Sequence, residues 1–594
     1  MKIDPITMEV VRSSLDRISD RMAVTVERTA YSPVIYEGRD FVCGILDRKG
    51  NLVSGTTGLP IFLGNLRSAV KDAAATIGVQ NLEEGDVVFC NDPYLGGGTH
   101  GNDIVAILPI HHASSLMGFV AFKGHTLDMG GGRAGGNNND TTEIYQELLR
   151  IPPVRLYRKG QVDDDLFRLI TLNSRTPDFL AGDIRSMVAA LRTGASSVDN
   201  LIERYSPEAF ENYLEAMFDH ADRLTRSEIR KIPSGTYSAE YFLDGDGNDG
   251  YPLSTKLRVA MKIQVNDDSM VIDMSDSSPQ SKGPMNSPRA CSISHIQYGF
   301  KSITTPQLSM NDGSFRALQI VLKPGTLMDP IPPAPCSCWV EASMGLTDLL
   351  LKTLAPAIPD RVRSSSFGSD LANAWSGVDP RTNRLYVFAE PSAPGGWGAK
   401  PDADGETMFS TDEGNSFYPM VEVFEILYPL LVQKFELIQD SSGAGKFRGG
   451  LGVAREIRPI KHEARVSLAF ERQIYSPPWG LFGGKEGRGN FVTITRRTGE
   501  VEKHEKITGY ALNDGDKILY ESGGGGGYGN PLERDHECVL RDVLDGYLSV
   551  EKAQENYGVV IDLATERVNL GATLQLRRQL VDLSAKVSVS NKIA

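Results

Sequence analysis

The stretch "NDPYLGGGTHGNDIVAILPIHHASSLMGFVAFKGHTLDMGGG", Asn91 to Gly132, contains two apolar runs joined by the polar connection "HHASSL". A strand, a short connection and a second strand predict an antiparallel hairpin centred near Ser114. Asp103 and His125 each lie eleven residues from that centre. The fold-back therefore makes them cross-strand neighbours, with Cβ atoms about 5 Å apart. His100 precedes the first run in a turn that Gly96, Gly97 and Gly98 permit. Two imidazoles and a carboxylate at one hairpin mouth are a common ligand set for a catalytic divalent metal. Polar residues also gather at hairpin ends to bond the backbone, and spacing alone leaves these two readings level.

Upstream, Ile6 to Ala30 has the apolar periodicity of an amphipathic helix. Asp47-Arg48-Lys49-Gly50 sits between two apolar stretches as a hairpin turn. Leu66 to Ile77 predicts a second helix closed by Gly78, and "DVVFC" a short buried strand. From Asp140 to about Ile232 the pattern is helical, beginning with "TTEIYQELL"; beyond Ser234 it alternates as strands. Ser275 to Pro401 is rich in Pro, Gly and Ser and stays unassigned. A β-rich block then runs to Gly523–Gly527, read as a flexible joint before a helical tail. These elements predict an α+β, multi-lobed fold with a substantial antiparallel β portion. The regular alternation of a doubly wound sheet is missing. Three regions are expected: 1–232 carrying the metal site, 233–530 rich in strands, and 531–594 as a helical appendage.

A chain of 594 residues is too long for one core. Its 23% charged and 40% hydrophobic residues exclude a disordered polymer. A net charge of −14 with no basic run argues against nucleic-acid binding. The N-terminus lacks the features of a signal peptide, and no window approaches the ~18 apolar residues of a membrane span. A cytoplasmic protein is expected. Six cysteines, with only a C-x-C pair at Cys336 and Cys338, read as reduced thiols. "SGAGKFRGG" is no phosphate loop, since Asp440 stands where the first glycine belongs and Phe447 where Ser or Thr belongs. No G-x-S-x-G elbow occurs. Four of nine histidines lie in the opening region. His111 and His112 fall in the distal connection as solvated residues; the five others are isolated and read as structural or surface residues.

Several motifs together resemble the hydantoinase B family: "DPITMEVVRSSL", "ERTAYSPVIYEGRDFVCGILDRKGNLVS", "GDVVFCNDPYLGGGTHGNDI", "GHTLDMGG", "SSGAGKFRGGLG" and "GGGGGYGNPLERD". The family comprises B subunits of N-methylhydantoinases, the C-terminal half of 5-oxoprolinases, and subunits of caprolactamase and of acetone and acetophenone carboxylases. The resemblance implies a heteromeric enzyme, (αβ)2 or larger, working with a hydantoinase A-type ATPase subunit. That partner binds ATP with Mg and phosphorylates the substrate oxygen. This chain would carry a divalent metal (Mn, Zn or Fe) on Asp40, His100, Asp103 and His125. Asp128 or Glu37 would orient or deprotonate the attacking water, and Asp92 falls back to a turn residue or one that supports the ligands from behind. The implied function is ATP-dependent hydrolysis of a small cyclic amide: a hydantoin, a lactam or 5-oxoproline. A ketone carboxylase subunit is the alternative within the family, and a non-catalytic scaffold for the ATPase subunit is the alternative outside it.

Overall fold

The computed structural model describes residues 3–56, 58–247, 254–390, 393–412 and 414–590. Helix α1 (Pro5–Thr29) starts where the Asp4 carboxylate accepts the Ile6 and Thr7 N–H groups, with proline at the first helical position. A second, short helix α2 (Pro33–Tyr36) leads into β1 (Phe41–Asp47) and β2 (Leu52–Gly55). Helix α3 (Pro60–Ile77) begins six residues earlier than its periodicity predicts, because Pro60 preorganises the first turn. It ends as predicted, at Gly78 with φ +85°.

Next come β3 (Val87–Cys90), β4 (Asp103–His112), β5 (Ser115–His125), β6 (Val154–Arg158) and β7 (Gln161–Val162). These seven strands form one antiparallel sheet in the order β2-β1-β5-β4-β3-β6-β7. Helices α4 (Asp164–Leu172), α5 (Pro177–Tyr205) and α6 (Pro207–Ile229) follow. One face of the sheet packs Phe89, Ile104, Ala106 and Phe122 against Val11, Leu15 and Met22 of α1 and Leu191 of α5. The other packs Val88, Val105, Ile107 and Ala121 against Leu66 and Val70 of α3. Both faces are covered, so successive residues such as Ile104 and Val105 are apolar in opposite directions. Burying one such side chain stabilises by about 1.5–3 kcal/mol.

"TTEIYQELL" is not helical. Only a single 3₁₀ turn, Ile144–Gln146, forms there. Glu147 is drawn inward, its carboxylate accepting the Cys336 and Ser337 N–H groups, and Pro152-Pro153 prevent a continuation.

The second sheet contains β8 (Gly235–Asp244), β9 (Lys256–Asn266), β10 (Ser269–Asp273) and β11 (Leu318–Val321), in the order β11-β10-β9-β8. Its helices are α7 (Arg289–Thr304), α8 (Trp339–Ser343) and α9 (Leu346–Leu354). Beyond these run β12 (Asn373–Asp379), β13 (Arg384–Glu390), α10 (Val421–Leu427), β14 (Leu430–Leu437), β15 (Val453–Pro459) and β16 (Ala464–Ala469). Then come β17 (Phe491–Thr495), β18 (Val501–His504), β19 (Lys506–Leu512) and β20 (Lys517–Glu521). They make two sheets, β13-β12-β16-β19 and β14-β15-β20-β17-β18. The tail holds α11 (His536–Leu544), α12 (Val550–Tyr557) and α13 (Leu570–Ser590). The architecture is the expected mixed one with several antiparallel sheets. Among the described residues no helix is long and apolar enough to cross a membrane.

Gly523–Gly527 is not a joint. All five glycines are buried, and each N–H donates to a different residue, on three separate segments: to the Asn490 side chain and to the carbonyls of Arg488, Gly450, Ser365 and Lys485. The run threads the interior, and the tail is tied to the layer around it by Arg534–Asp404 and Arg448–Asp542 ion pairs.

His295 on α7 bears on acid stability. Burial pushes it down to about 4, opposed by its bond to the Cys291 carbonyl. The neutral form is the folded one, so this contribution is complete above the unfolded value near 6.5 and is lost as pH falls toward 4. The loss is about 3 kcal/mol at pH 4. His295→Gln is expected to flatten the fall in melting temperature between pH 6.5 and 4, measured by calorimetry.

Candidate metal centre

The hairpin predicted around Ser114 is β4–β5. Ala113 and Ser114 both take positive φ, +47° and +65°, the two-residue turn that matches strand twist. At the turn His112 pairs with Ser115, and a bulge between Ile110 and His111 then shifts the register by one. That shift puts Asp103 directly opposite His125. Without it Asp103 would face Gly124, and the side chains would point to opposite faces of the sheet. On the other edge β1 pairs with β5, and the His125 N–H donates to the Asp40 carbonyl at 3.0 Å.

The third member comes from the glycine turn. Gly97 has φ +86°, and a Cβ there would lie 2.7 Å from the Ala69 Cβ and 2.9 Å from the Asn65 carbonyl oxygen. Only glycine lets the chain press so closely on α3. Lys123 of β5, 1% exposed, donates to Thr99 Oγ1 at 2.8 Å and to the Gly97 carbonyl at 3.2 Å. Asn65 Nδ2 donates to the same carbonyl at 2.8 Å. The loop so pinned turns His100 toward the hairpin.

His100 Nε2, His125 Nδ1 and Asp103 Oδ1 then converge: 3.2 Å between the two nitrogens, 3.2 Å from His100 to Asp103 and 2.9 Å from His125 to Asp103. All three residues are buried, and their ligand atoms lie within 4.8 Å of one another. Donors about 2.1 Å from a shared cation sit roughly 3.0–3.4 Å apart at ordinary coordination angles. Buried polar atoms without partners are uncommon, yet Asp103 Oδ2, His100 Nδ1 and Asp40 Oδ1 are all in that state. The donor set and its spacing fit a divalent cation. Burial works to raise the Asp103 carboxyl, but His100 and His125 outweigh it and hold the group far below the usual carboxylate range. Asp40 goes the other way. Burial, reinforced by Asp103 and Asp370 and opposed by His125, pushes it up to about 7.

These groups line a small cleft of about 50 Å³. Asp370 and Glu390 contribute two more carboxylates to its wall, and Leu59, Phe62 and Trp339 form an apolar side. Trp339 meets the His100 ring edge-on at 6.0 Å. Glu390 is committed to Arg455, Tyr418 and Asn373. Asn102 Nδ2 lies 3.5 Å from His125 Nε2 and donates to the Gly135 carbonyl, steadying the outer side of that ring.

Asp128 and Glu37, the two carboxylates the sequence offered for catalysis, do not line this cleft. The Asp128 carboxylate is saturated by the N–H groups of Gly130, Gly135 and Arg175 and by the Arg175 guanidinium. Glu37 ends α2 and borders a neighbouring apolar pocket. Asp92 accepts from Tyr94 N–H and from Arg150, the turn role expected of it. Lys123, Trp339 and Asp370 were not anticipated. Lys123 alone left a trace, as the single charge inside the apolar run "MGFVAFKG".

Known proteins share both sequence and fold. The profile of the Hydantoinase B/oxoprolinase family matches residues 4–531. Caprolactamase subunit beta of Pseudomonas jessenii is 32% identical over 579 residues, 94% of this chain and 97% of that protein. The 5-oxoprolinase of Dictyostelium discoideum is 27% identical, covering 89% of this chain but 40% of that longer protein. The crystal structure of the ATP-dependent caprolactamase of P. jessenii superposes with a TM-score of 0.90 at 30% identity, over 97% of this chain and 100% of that one. Nucleotide-free acetone carboxylase shares the fold, with a TM-score of 0.90 at 19% identity over 98% of this chain and 84% of that one. The chain belongs to the Hydantoinase B/oxoprolinase family.

Proposed function

We propose that this chain is the metal-binding subunit of an ATP-dependent hydrolase of cyclic amides. It would work with a hydantoinase A-type ATPase subunit, in an (αβ)2 or larger assembly. The observation that carries the metal reading is the convergence of His100, Asp103 and His125, with unpartnered buried atoms on His100, Asp103 and the adjacent Asp40. With Asp40 as a fourth donor, this set would hold a divalent cation, Mn, Zn or Fe. Such an ion supplies Lewis acidity and a water of lowered pKa.

The partner activates the amide by phosphorylating its oxygen. In the cleft, Leu59, Phe62 and Trp339 shield the activated carbon from bulk solvent, leaving water only on the carboxylate side. We assign proton acceptance from the attacking water to Asp370, in place of the saturated Asp128. As the new C–O bond forms, the C=N electron pair goes to nitrogen, which takes up a proton; the remaining C–N bond then breaks with its pair on nitrogen, opening the ring to an acyl phosphate. A second water hydrolyses that acyl phosphate to the amino acid's carboxylate and inorganic phosphate.

ATP consumption by the purified complex, screened against hydantoins and lactams and against ketones with bicarbonate, tests this reading. Turnover of ketones alone would transfer the site to a carboxylase, the reaction named for the acetone carboxylase with which the chain shares its fold. Protein without stoichiometric metal would leave a scaffold.

Lys123 positions the His100 loop and touches none of the reacting atoms. Lys123→Met is expected to weaken metal binding 10- to 100-fold, about the effect of losing an outer-shell partner. Chelator competition measures it.

A further inference from the structure

The sheet β14-β15-β20-β17-β18 ends at β14, which pairs with β15 on one side only. Its last five residues, Gln433 to Leu437, are all exposed, a run that no other strand shows among the described residues. The Ile438 N–H donates to the Gly452 carbonyl, so Ile438 faces β15, and by alternation Glu436 and Lys434 face it too. Val453, opposite Leu437, gives its own N–H and carbonyl to Ser522 on the far side of β15. Phe435 and Leu437 therefore turn their N–H and C=O groups away from the sheet. The open stretch has fixed ends. At one, the Glu425 carboxylate of α10 accepts the Val432 N–H; at the other, the Asp440 N–H donates to the Tyr547 carbonyl of the tail.

We propose that this edge pairs with the same edge of a second copy of the chain, antiparallel about a two-fold axis at Phe435. An unpaired edge is a template for another strand, and the register that uses the whole open stretch is the one centred on its middle residue. There the two Phe435 residues exchange N–H···O=C bonds. Lys434 stands opposite the Glu436 of the second copy, and Glu436 opposite its Lys434. A lone lysine on an edge keeps strands apart. This one already carries a 2.7 Å ion pair to Glu436, and here it gains a second acid directly across. Centring the pair one residue to either side would set Lys434 against Lys434, or Glu436 against Glu436. On the opposite face Phe435, 38% exposed, meets its counterpart beside Tyr418, which stacks on it at 5.7 Å. Ile426 and Leu427 of α10, also exposed, extend the apolar surface before the strand begins. Five residues a side is a small interface, so the dimer is concentration-dependent.

None of Gln433 to Leu437 lines the metal cleft, so variants there leave the candidate site untouched. Sedimentation of the full chain across the micromolar range should show a species of twice 64.8 kDa. Lys434→Glu should weaken this dimer about tenfold, since like charges then face each other twice. Adding Glu436→Lys to that variant should restore it, and both positions are exposed, so the fold is not at stake. Cysteines then read the register. Two opposed Phe435 Cα atoms would lie about 5.5 Å apart, within disulfide range, whereas two Leu437 Cα atoms would be about 14 Å apart along the strands. Oxidised glutathione should therefore crosslink Phe435→Cys into a covalent dimer and leave Leu437→Cys as single chains. A monomer at every concentration, a Lys434→Glu defect that is absent or not rescued, or equal crosslinking at both positions overturns the proposal. Crosslinking of Phe435→Cys that vanishes when the ATPase subunit is added would give the edge to that subunit and overturn it as well.

Discussion

With His125 replaced by alanine, the purified complex is expected to lose its bound divalent metal and more than about 100-fold of ATP-coupled ring opening. Loss of an outer-shell partner alone costs up to that factor, and His125 is a proposed direct ligand. The fold should survive. His125 ends β5 at the mouth of the hairpin, its backbone N–H still reaches the Asp40 carbonyl, and alanine keeps the strand. What disappears is one of the two imidazoles bonded to Asp103 Oδ1, the one at 2.9 Å. A buried carboxylate then rests on His100 alone, which weakens the whole donor set. His112→Ala is the matched control. That residue lies at the far end of the same hairpin, paired with Asp199, and its loss should change neither metal content nor turnover. Metal analysis by mass spectrometry and a coupled ADP assay read the two quantities independently. Survival of both in His125→Ala would remove the site from the triad.

The triad was legible because a hairpin is local. Apolar runs and a polar connection fix which residues face each other, and Asp103 and His125 follow from counting alone. The count succeeded through a feature it did not contain, the bulge at Ile110/His111 that restores the register after a tight turn. Asp370 could not be found this way. It reaches the cleft from a segment more than two hundred residues downstream, and only tertiary packing brings it there. Asp128 lies outside the cleft wall for the opposite reason. Proximity in sequence to His125 suggested chemistry, whereas Arg175, from the turn before α5, had claimed its carboxylate. The helical reading of "TTEIYQELL" failed likewise, because periodicity cannot register that Glu147 is bonded to a distant backbone. Glycine was the most misleading signal. In a single sequence a run of five reads as freedom, and in the folded chain the same absence of side chains permits close packing of backbone on backbone.

Gly525→Ala separates those two meanings by size. If the run were a flexible joint, alanine would restrict the folded and unfolded chains alike and leave stability within about 0.5 kcal/mol. The structure predicts a large loss. A Cβ on Gly525 would lie 1.9 Å from the Trp397 carbonyl oxygen, 2.1 Å from its carbon and 2.6 Å from the Gly398 nitrogen. These are backbone atoms, so no rotamer change relieves the clash. Nor can the two strands of chain simply part. The Gly525 N–H donates to Gly450 O at 3.0 Å, and its carbonyl accepts from Gly443 N–H at 2.8 Å. Separation on one side therefore breaks bonds on the other and leaves buried amides unmet. The neighbours offer no slack, since a Cβ on Gly524 would meet Ser441 O at 2.1 Å and one on Gly526 would meet Trp479 O at 2.0 Å. Destabilisation above about 4 kcal/mol is expected, the range reached when a core is overpacked with no means of relaxing. Gly571→Ala serves as the control. Its new Cβ would have Asn569 Oδ1 at 3.8 Å as nearest neighbour, and the change should stay within about 0.5 kcal/mol. Soluble yield and melting temperature, compared for the two variants, read the outcome. A Gly525→Ala protein that melts at or above the parent temperature would return the glycines to the role of a hinge.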